Sequence, residues 1–432
     1  MRNSESTTSA SLRTVTLGCK VNQYESEFVR QALVGIGYRD AADGEPADLC
    51  IVNTCTVTAE GDAKSRQTIR QLAARNPDAR LVVMGCYATR APDEVAALPG
   101  VAEVVTDKRE LPDLLGRFGV VDLPTGIAEF RHRRRAYLKV QDGCLLRCSF
   151  CIIPSVRPNV VSRPVEHIVD EARRLIDNGY RELVLTGIHL GHYGVEVNRG
   201  RPKHAWLRLA NLVDRLAQLP GEFRIRLSSI EATEVTRELV AVMAAHPERV
   251  CPHLHVSMQS GSDAVLRRMR RRWGARRFID RCRLTTLALD RPAFTTDVIV
   301  GFPGETEAEF AETLAVCREV GFSKIHIFPF SARRGTPAAE MPGQVPPPVI
   351  QERRERLAEL EQHLRDVYYR SLRGSRLQVL VEPSRAERPG HVLGTACRYA
   401  TVELPAAGSH YGRFAQAIAG DTVDGVLRAM PV

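Results

Sequence analysis

Short apolar runs alternate with helical segments six times between residues 131 and 372. Each run has the length of a strand, and each is followed by a segment long enough for a barrel helix. This alternation predicts a partial (β/α) barrel of six units, with a functional site at the carboxyl ends of its strands. The six runs are AYLKVQ (136–141), ELVLTG (182–187), FRIRLSS (223–229), HLHVSM (253–258), AFTTDVIVG (293–301) and SKIHIFPF (323–330).

Two smaller domains are predicted on either side of this barrel. Residues 11–125 show a shorter alternation of strand-like and helical runs, which predicts a small parallel α/β domain. A proline-rich connector (341–349) and a charged helix (350–369) end the barrel. Residues 373–432 contain short β-like runs separated by Gly and Pro, which predicts a small all-β barrel or sheet. The fold class is therefore α/β, in three domains: 11–125, 131–372 and 373–432.

Composition excludes a membrane protein, because no run of about 18 apolar residues occurs among the 432 residues. The first ten residues, MRNSESTTSA, lack the apolar core of a secretory signal, so we expect the protein in the cytoplasm. The net charge of +9 permits a polyanionic partner without requiring one. It divides into −4 for residues 1–130, +11 for 131–372 and +2 for 373–432. We therefore expect any electrostatic contact with a polyanion on the barrel.

Eleven cysteines in a chain without an export signal indicate metal ligands or reactive thiols rather than disulfides. Cys144, Cys148 and Cys151 form a C-x3-C-x2-C motif directly after the first barrel strand. Iron–sulfur clusters usually have four thiolate ligands, so three would leave one iron of a four-iron cluster open to a reacting ligand. A structural zinc site and free thiols are the alternatives. Zinc fingers prefer paired C-x2-C motifs and four ligands, and no fourth Cys or His follows at that spacing.

A second group, Cys19, Cys55 and Cys86, is spread along the N-terminal domain. Each stands just past the carboxyl end of a predicted strand, the edge at which open α/β sheets bind ligands. Three cysteines at equivalent places predict a shared site, again with three ligands and one open iron. A single cysteine of this kind would be a buried structural residue. We assign that role to the remaining five: Cys50, Cys251, Cys282, Cys317 and Cys397.

Eight motifs follow one another between Thr14 and Pro337: TLGCKVNQYESE, VNTCTVTAEGDAKSRQTIR, MGCYATR, KVQDGCLLRCSFCIIPSVR, LTGIHLGHYG, RLSSIEA, HLHVSMQSGSDAVLRRM and DVIVGFPGETEAEF. They resemble, in matching order, those of the methylthiotransferases, radical S-adenosylmethionine enzymes that insert sulfur into a C–H bond and methylate it. The resemblance implies that Cys144, Cys148 and Cys151 hold the [4Fe-4S] cluster that cleaves S-adenosylmethionine. Cys19, Cys55 and Cys86 would hold an auxiliary [4Fe-4S] cluster that carries the sulfur.

The segments GCKVNQYESE, NTCTVT and KSRQTIR are most similar to the branch that acts on threonylcarbamoyladenosine in tRNA. This implies methylthiolation of C2 of that nucleoside, beside the anticodon, with the anticodon stem-loop of tRNA as partner. An electron donor and a sulfur source are further implied partners. Isopentenyladenosine in tRNA and an aspartate of a ribosomal protein are the targets of other branches and remain alternatives. A non-catalytic RNA-binding protein with structural metal centres is an alternative of another class.

Two parts of the chain depart from the family pattern. Where the family has Arg-Gly after the cysteine motif, this chain has Arg157-Pro158, which removes a flexible residue and a backbone donor. The family's C-terminal β-barrel assists RNA binding and would correspond to residues 373–432, a segment that matches poorly.

Five residues at the ends of barrel strands are candidates for binding S-adenosylmethionine: Gly187, Ser228, Glu231, Gln259 and Gly301. Gly187 would let backbone approach the methionine moiety and Gly301 the nucleoside, although both are also typical turn residues. Gln259, Ser228 and Glu231 could bond the ribose or the carboxylate, or cap the helix that follows.

Two basic runs are candidates for contacting RNA. Residues 131–135 precede the first barrel strand, and residues 267–272, followed by Trp273, come after the fourth. Such arginines either bind phosphates beside a ring that stacks on a base or form a solvated face.

Overall fold

The computed structural model forms two compact units. It describes residues 9–131, 133–386 and 388–432, so residues 1–8 of the N-terminal segment and His132 of the first basic run lie outside the described residues. The first unit is the chain up to Arg131 with residues 143–145 and 151–159. The second is the rest of the chain. Among the described residues, no helix combines the length and the apolar character that crossing a membrane requires. The division into three domains stays a prediction.

The first unit is a five-stranded parallel sheet with helices on both faces. Its elements are β1 (Ser11–Thr16), α1 (Lys20–Gly35), β2 (Arg39–Asp40), β3 (Leu49–Thr54), α2 (Ala59–Arg75), β4 (Arg80–Gly85), α3 (Cys86–Arg90), α4 (Pro92–Ala96), β5 (Val101–Val104), α5 (Leu111–Arg117) and α6 (Ile153–Val156). The strand order is β2-β1-β3-β4-β5. The central strand β3 is buried along its whole length. Its Ile51 joins the apolar cluster with α1 and α5, whereas Val52 joins the opposite cluster with α2. The predicted parallel α/β fold is confirmed.

The second unit begins with a partial (β/α) barrel. Its strands are β6 (Arg135–Asp142), β7 (Val161–Ser162), β8 (Glu182–Gly187), β9 (Arg224–Leu227), β10 (Ser229–Ile230), β11 (His253–Val256), β12 (Ala293–Val300) and β13 (Lys324–Pro329). Its helices are α7 (Val165–Asp177), α8 (Leu209–Ala217), α9 (Arg237–Ala245), α10 (Asp263–Arg268), α11 (Ala275–Ala288), α12 (Glu307–Val320) and α13 (Pro347–Ser371). Two sheets, β7-β6-β8-β9 and β10-β11-β12-β13, are linked by a bridge between Ile225 and Val250. The six predicted runs correspond to β6, β8, β9, β11, β12 and β13, so the predicted barrel is confirmed.

A closed five-stranded barrel ends the second unit. Its strands are β14 (Arg376–Arg385), β15 (His391–Ala396), β16 (Thr401–Pro405), β17 (Phe414–Val423) and β18 (Val426–Pro431). They close in the order β14-β15-β16-β18-β17 around a core that includes Leu377, Val402 and Leu427. The predicted small all-β domain is confirmed.

A buried cluster of charged side chains connects the two barrels of the second unit. Glu182 of β8 accepts hydrogen bonds from Arg224 Nε (2.6 Å) and Arg226 Nε (2.9 Å) of β9. Arg224 also donates to the carbonyls of Gln378 (2.7 Å) and Thr395 (2.8 Å) in the C-terminal barrel. Burial raises the pKa of Glu182, but Arg226 and Arg224 outweigh burial and hold it well below its usual range. Glu182 therefore stays ionised and fixes both arginines.

We expect Glu182→Gln to lower the thermal midpoint of unfolding, since breaking a buried ion pair typically costs about 3–5 kcal/mol. A carboxylate with a depressed pKa contributes stability above its unfolded pKa of about 4.3, and this contribution is lost as the pH falls further. The wild-type midpoint should therefore drop more steeply than that of the variant below about pH 4. Thermal unfolding followed by circular dichroism at several pH values checks this. Parallel curves at a common midpoint would contradict it.

Candidate active site

The structure brings Cys19, Cys55 and Cys86 together at one edge of the first sheet. Cys19 precedes α1, Cys55 directly follows β3, and Cys86 begins α3 directly after β4. Their strands β1, β3 and β4 are parallel neighbours, so their carboxyl ends meet. The pKa of the Cys55 thiol is raised, first by burial and further by the neighbouring Cys86 and Cys19. Among the described residues, these three therefore form a group of neighbouring thiols.

Two glycines allow the close approach at this edge. A Cβ on Gly18 would lie 2.8 Å from Cβ and 3.0 Å from Sγ of Cys55. A Cβ on Gly85 would lie 2.3 Å from Asn53 Oδ1 and 2.6 Å from the backbone of Thr54. Both glycines have φ near +100°, a conformation that other residues rarely adopt. Glycine is thus required directly before Cys19 and directly before Cys86.

Arg157 places a buried guanidinium beside these thiols. Its Nε donates to Cys86 Sγ at 3.4 Å, and its Nη2 donates to Asn22 Oδ1 at 2.8 Å. Glu25 accepts from Nη1 at 2.9 Å and also pairs with Lys108 at 2.5 Å. Burial alone would lower the pKa of Arg157, but Glu25 and then the cysteines raise it above its usual value. Sequence reasoning considered Arg157 only as the neighbour of Pro158, which is exposed.

The C-x3-C-x2-C motif lies in the connection between β6 and α6, at the carboxyl end of the first barrel strand. Within the second unit, the segment 146–150 is tied to the connection after α10. Ser149 donates its backbone N–H to the Met269 carbonyl at 3.1 Å, and Cys148 Sγ accepts from Arg271 Nη1 at 3.5 Å. A cationic side chain thus lies next to a cysteine of this motif, as one does in the other group.

Three of the five residues predicted to bind S-adenosylmethionine lie at the ends of β8, β9 and β10. Gly187 packs closely against Gln141, since a Cβ on it would lie 2.9 Å from Gln141 Oε1. Ser228 is buried, and its Oγ has no hydrogen-bond partner within the described ranges. Glu231 accepts hydrogen bonds from Arg271 and from Trp273 Nε1. A polar ligand could provide the hydrogen-bond partner that the buried hydroxyl of Ser228 lacks within the described residues.

The other two predicted residues lie beside β12: the backbone of Gln259 is bonded to this strand, and Gly301 directly follows it. Gln259 has a φ of 69°, and its backbone exchanges hydrogen bonds with Asp297 and Ile299. Gly301 has a φ of 77°, and a Cβ there would lie 2.4 Å from a side-chain carbon of Ile350. Both backbones are thus fixed in conformations that place turns at the barrel mouth. A ligand role for these five residues stays a prediction.

A narrow cleft next to Cys148 contains side chains that sequence reasoning did not assign. His189 and His192 stack with ring centroids 3.7 Å apart, and His189 Nε2 lies 3.3 Å from Glu234 Oε1. Burial lowers the pKa of His189 to about 3 and that of His192 to about 4, and it raises the pKa of Glu234 to about 8. All three are therefore neutral at pH 7. The two histidines occur three residues apart after a strand, in LTGIHLGHYG, and this spacing could have identified them.

The second basic run is divided by the structure. Arg271 is inside the cleft, and Arg268 pairs with Glu309 at 2.8 Å. Arg267, Arg270 and Arg272 are exposed. Two of the five arginines of this run thus pair with glutamates, and the other three are the ones left to contact RNA or solvent.

Most of the first basic run also has partners within the protein. Arg131 pairs with Asp40, and Arg133 Nη1 lies 2.6 Å from the hydroxyl of Tyr137. The remaining two have partners in the C-terminal barrel: Arg134 lies over the Tyr411 ring, and Arg135 pairs with Glu382.

Comparison with known proteins covers most of the chain. The model of the uncharacterized protein family UPF0004 matches residues 11–107, and that of the radical SAM superfamily matches residues 138–317. The threonylcarbamoyladenosine tRNA methylthiotransferase MtaB of Bacillus subtilis is 40% identical over 390 residues, which are 86% of this chain and 85% of the relative. This chain belongs to the radical S-adenosylmethionine methylthiotransferases. The predicted family and enzyme class are confirmed.

Other methylthiotransferase relatives match with similar coverage. The MtaB protein of Thermotoga maritima is 39% identical, over 86% of each chain. The tRNA-2-methylthio-N(6)-dimethylallyladenosine synthase of Mycobacterium ulcerans is 37% identical, over 85% of this chain and 72% of its own. Among solved structures, the radical S-adenosylmethionine methyltransferase TsrM of Kitasatospora setae has a TM-score of 0.56 at 15% identity, covering 77% of each chain. That similarity supports the fold alone.

The residues of this chain fit the cofactors of a radical S-adenosylmethionine methylthiotransferase. Membership of this superfamily implies one [4Fe-4S] cluster and S-adenosylmethionine. The C-x3-C-x2-C thiols follow the first barrel strand, with a guanidinium beside one of them. The buried, unsatisfied hydroxyl of Ser228 offers a polar contact at the barrel mouth.

Proposed function

We propose that this enzyme adds a methylthio group to C2 of N6-threonylcarbamoyladenosine beside the anticodon of tRNA. The observation that carries the proposal is the second group of thiols, Cys19, Cys55 and Cys86, at the edge of the first sheet. Such a group is what a sulfur-transferring enzyme adds to the cluster used for radical formation. Its three thiols leave one iron of an auxiliary four-iron cluster open. The reaction would take place in the cytoplasm, with an electron donor and a sulfur source as further partners.

The choice of nucleoside rests on the named relatives. Proteins named for threonylcarbamoyladenosine are 39–40% identical to this chain over 85–86% of its length. A relative named for dimethylallyladenosine is 37% identical and matches a smaller share of its own length. Dimethylallyladenosine in tRNA is therefore the second candidate substrate.

The six cysteines would have two different roles. Cys144, Cys148 and Cys151 would hold the cluster and leave one iron for the methionine part of S-adenosylmethionine. Cys19, Cys55 and Cys86 would hold the auxiliary cluster. When bound, the first cluster with S-adenosylmethionine would supply the radical chemistry that removes the hydrogen at C2. The auxiliary cluster would supply the sulfur, and a second S-adenosylmethionine the methyl group.

The protein would orient these groups without acid–base catalysis. Glu231 holds Arg271, which donates to Cys148, so a carboxylate at the barrel mouth fixes a cation beside the proposed ligand. The neutral imidazoles of His189 and His192 would shape the adjoining wall without adding charge. The protein backbone at Gly187 would approach the methionine moiety of S-adenosylmethionine, that at Gly301 would approach the nucleoside, and Ser228 would bond S-adenosylmethionine. Gln259 would do likewise.

Mass spectrometry of tRNA nucleosides tests the proposed reaction. In a strain that lacks this gene, we expect 2-methylthio-N6-threonylcarbamoyladenosine to be absent and its unthiolated precursor to accumulate. The gene on a plasmid should restore the product, and a Cys148→Ala copy should not. Loss of the dimethylallyl product instead would favour the second candidate. An unchanged nucleoside profile would contradict a tRNA substrate.

Replacing Arg270 and Arg272 together by Gln should weaken tRNA binding and reduce its dependence on salt. Each phosphate contact contributes about 0.7–0.9 to the slope of log K against log salt, so the slope should fall by about 1.5 if each arginine binds one phosphate. Filter binding of tRNA at several salt concentrations measures the slope. The matched control is Arg276→Gln with Arg277→Gln, two exposed arginines on α11. Equal slopes for wild type and Arg270/Arg272 variant would identify this run as a solvated face.

A further inference from the structure

His255, Asp297 and His326 lie side by side on β11, β12 and β13. The parallel pairing of β11 with β12 places His255 opposite Thr295, and Asp297 follows two residues later on the same face. In the pairing of β12 with β13, Asp297 and His326 are direct partners. One potential ligand atom from each of the three residues lies within 4.8 Å of the other two. Two imidazole nitrogens and a carboxylate oxygen therefore share one small volume.

The hydroxyl of Thr295 fixes the orientation of the His255 ring. Its oxygen lies 2.9 Å from Nδ1 of His255 and 3.1 Å from Nε2 of His253. Because Nδ1 is held in this way, Nε2 of His255 faces Oδ2 of Asp297 at 3.1 Å. Histidines that bind metals use one ring nitrogen as the ligand and anchor the other by such a hydrogen bond. The ring is thus already oriented as a metal ligand.

The charge of Asp297 also favours a cation. In the described part of the chain, the imidazole of His255 faces this carboxylate, and no Lys or Arg forms a salt bridge with it. The lysine on β13, Lys324, pairs with Glu361 at 3.1 Å instead. The side chains of His255 and Asp297 are 13% and 26% exposed, so a small ion can reach both.

We propose that His255, Asp297 and His326 bind a divalent first-row transition metal, and that zinc suits their donor atoms best. Two imidazoles and one carboxylate form the ligand set of metal sites that keep an open coordination position. A tetrahedral ion held by these three would retain its fourth position for water or for an oxygen of a bound molecule. The six proposed cluster ligands are not part of this set, so the proposal stands apart from the proposed function.

The test uses the full chain with its iron–sulfur clusters reconstituted anaerobically. After dialysis against chelator-buffered Zn²⁺, zinc, iron and sulfide are measured by elemental analysis. X-ray absorption at the zinc edge then identifies the atoms around zinc, because iron does not absorb there. We expect about one zinc per chain, with nitrogen and oxygen neighbours at about 2.0–2.1 Å and no sulfur at about 2.3 Å.

His326→Gln and Asp297→Asn should each weaken zinc binding at least about tenfold, and Thr295→Val should weaken it about 10–100-fold through the lost anchor. The iron content should not change in any of them. The control is His246→Gln, because His246 Nε2 lies 2.8 Å from Asp214 Oδ1 in a pair without a third ligand in the described part of the chain. Three variants on two strands keep the test decisive if one fails to fold.

Three results would overturn the proposal. These are less than stoichiometric zinc in the wild type, sulfur neighbours in the zinc spectrum, or equal losses in the His246 control and the His326 variant. Sulfur neighbours with full iron content would show zinc on a bystander cysteine. None of these results bears on methylthiolation, so failure here and failure of the proposed function are distinguishable.

Discussion

Cys55→Ala is expected to abolish methylthiolation while leaving S-adenosylmethionine cleavage intact. Cys55 directly follows β3, beside Cys19 and Cys86, so its loss removes one of three proposed ligands of the auxiliary cluster. Cys148→Ala should abolish cleavage itself, because it removes a proposed ligand of the cluster that binds S-adenosylmethionine. Anaerobically reconstituted wild type should hold about eight irons per chain, and each variant about four. Iron analysis and chromatography of 5′-deoxyadenosine and of the modified nucleoside measure these effects.

The bystander cysteines provide matched controls for this pair. Cys50→Ala changes a buried cysteine on β3, the strand that Cys55 directly follows. Cys282→Ala changes a buried cysteine on α11. Both should keep about eight irons and full activity. A Cys55 variant that still thiolates tRNA would show that the auxiliary assignment is wrong. So would a Cys50 variant that loses half of the iron.

The strands of both units could be predicted from sequence because their apolar runs are long and bounded by glycine and proline. The run AYLKVQ falls inside β6, and the charged helix expected at 350–369 extends over Pro347–Ser371. The two-residue strand β10 (Ser229–Ile230) and the single-turn helix α3 (Cys86–Arg90) were missed. A periodic pattern needs more residues than these elements contain.

Some residues of the candidate site could be predicted from the sequence, and others could not. The C-x3-C-x2-C group could be selected from its spacing, and Cys19, Cys55 and Cys86 from their equivalent places after three predicted strands. Arg157 could not, because its partner Glu25 is 132 residues away and nothing in either local sequence indicates the pair. Arg271 could not be identified from the sequence for a different reason. It stands among arginines of identical type, and only the position of Glu231 distinguishes it from its exposed neighbours.

Arg157→Gln is expected to lower the reduction potential of the proposed auxiliary cluster, and the structure offers a matched control variant. The guanidinium donates to Cys86 Sγ at 3.4 Å, and hydrogen bonds to cluster sulfurs together with nearby charge set reduction potentials. A cation favours the reduced, more negative state, so its removal should lower the potential. A tenfold change in the equilibrium between the oxidised and the reduced cluster corresponds to a shift of about 59 mV in its one-electron reduction potential. Arg157→Lys keeps the charge but not the planar geometry, so its reduction potential should lie between those of the wild type and of Arg157→Gln.

A loss of fold stability could also change the reduction potential of the proposed cluster. Arg30→Gln separates this effect from the effect of the guanidinium itself. Arg30 is as buried as Arg157 and binds Glu27 and Asp40, with no cysteine among its partners in the described residues. Both glutamine variants should lose stability, since each leaves a buried carboxylate short of a partner, typically about 3–5 kcal/mol. Only Arg157→Gln should move the auxiliary potential, measured by redox titration with electron paramagnetic resonance in a Cys148→Ala background. Equal shifts in both variants would attribute the change to a less stable fold, because within the described ranges no bond of Arg30 goes to a proposed cluster ligand.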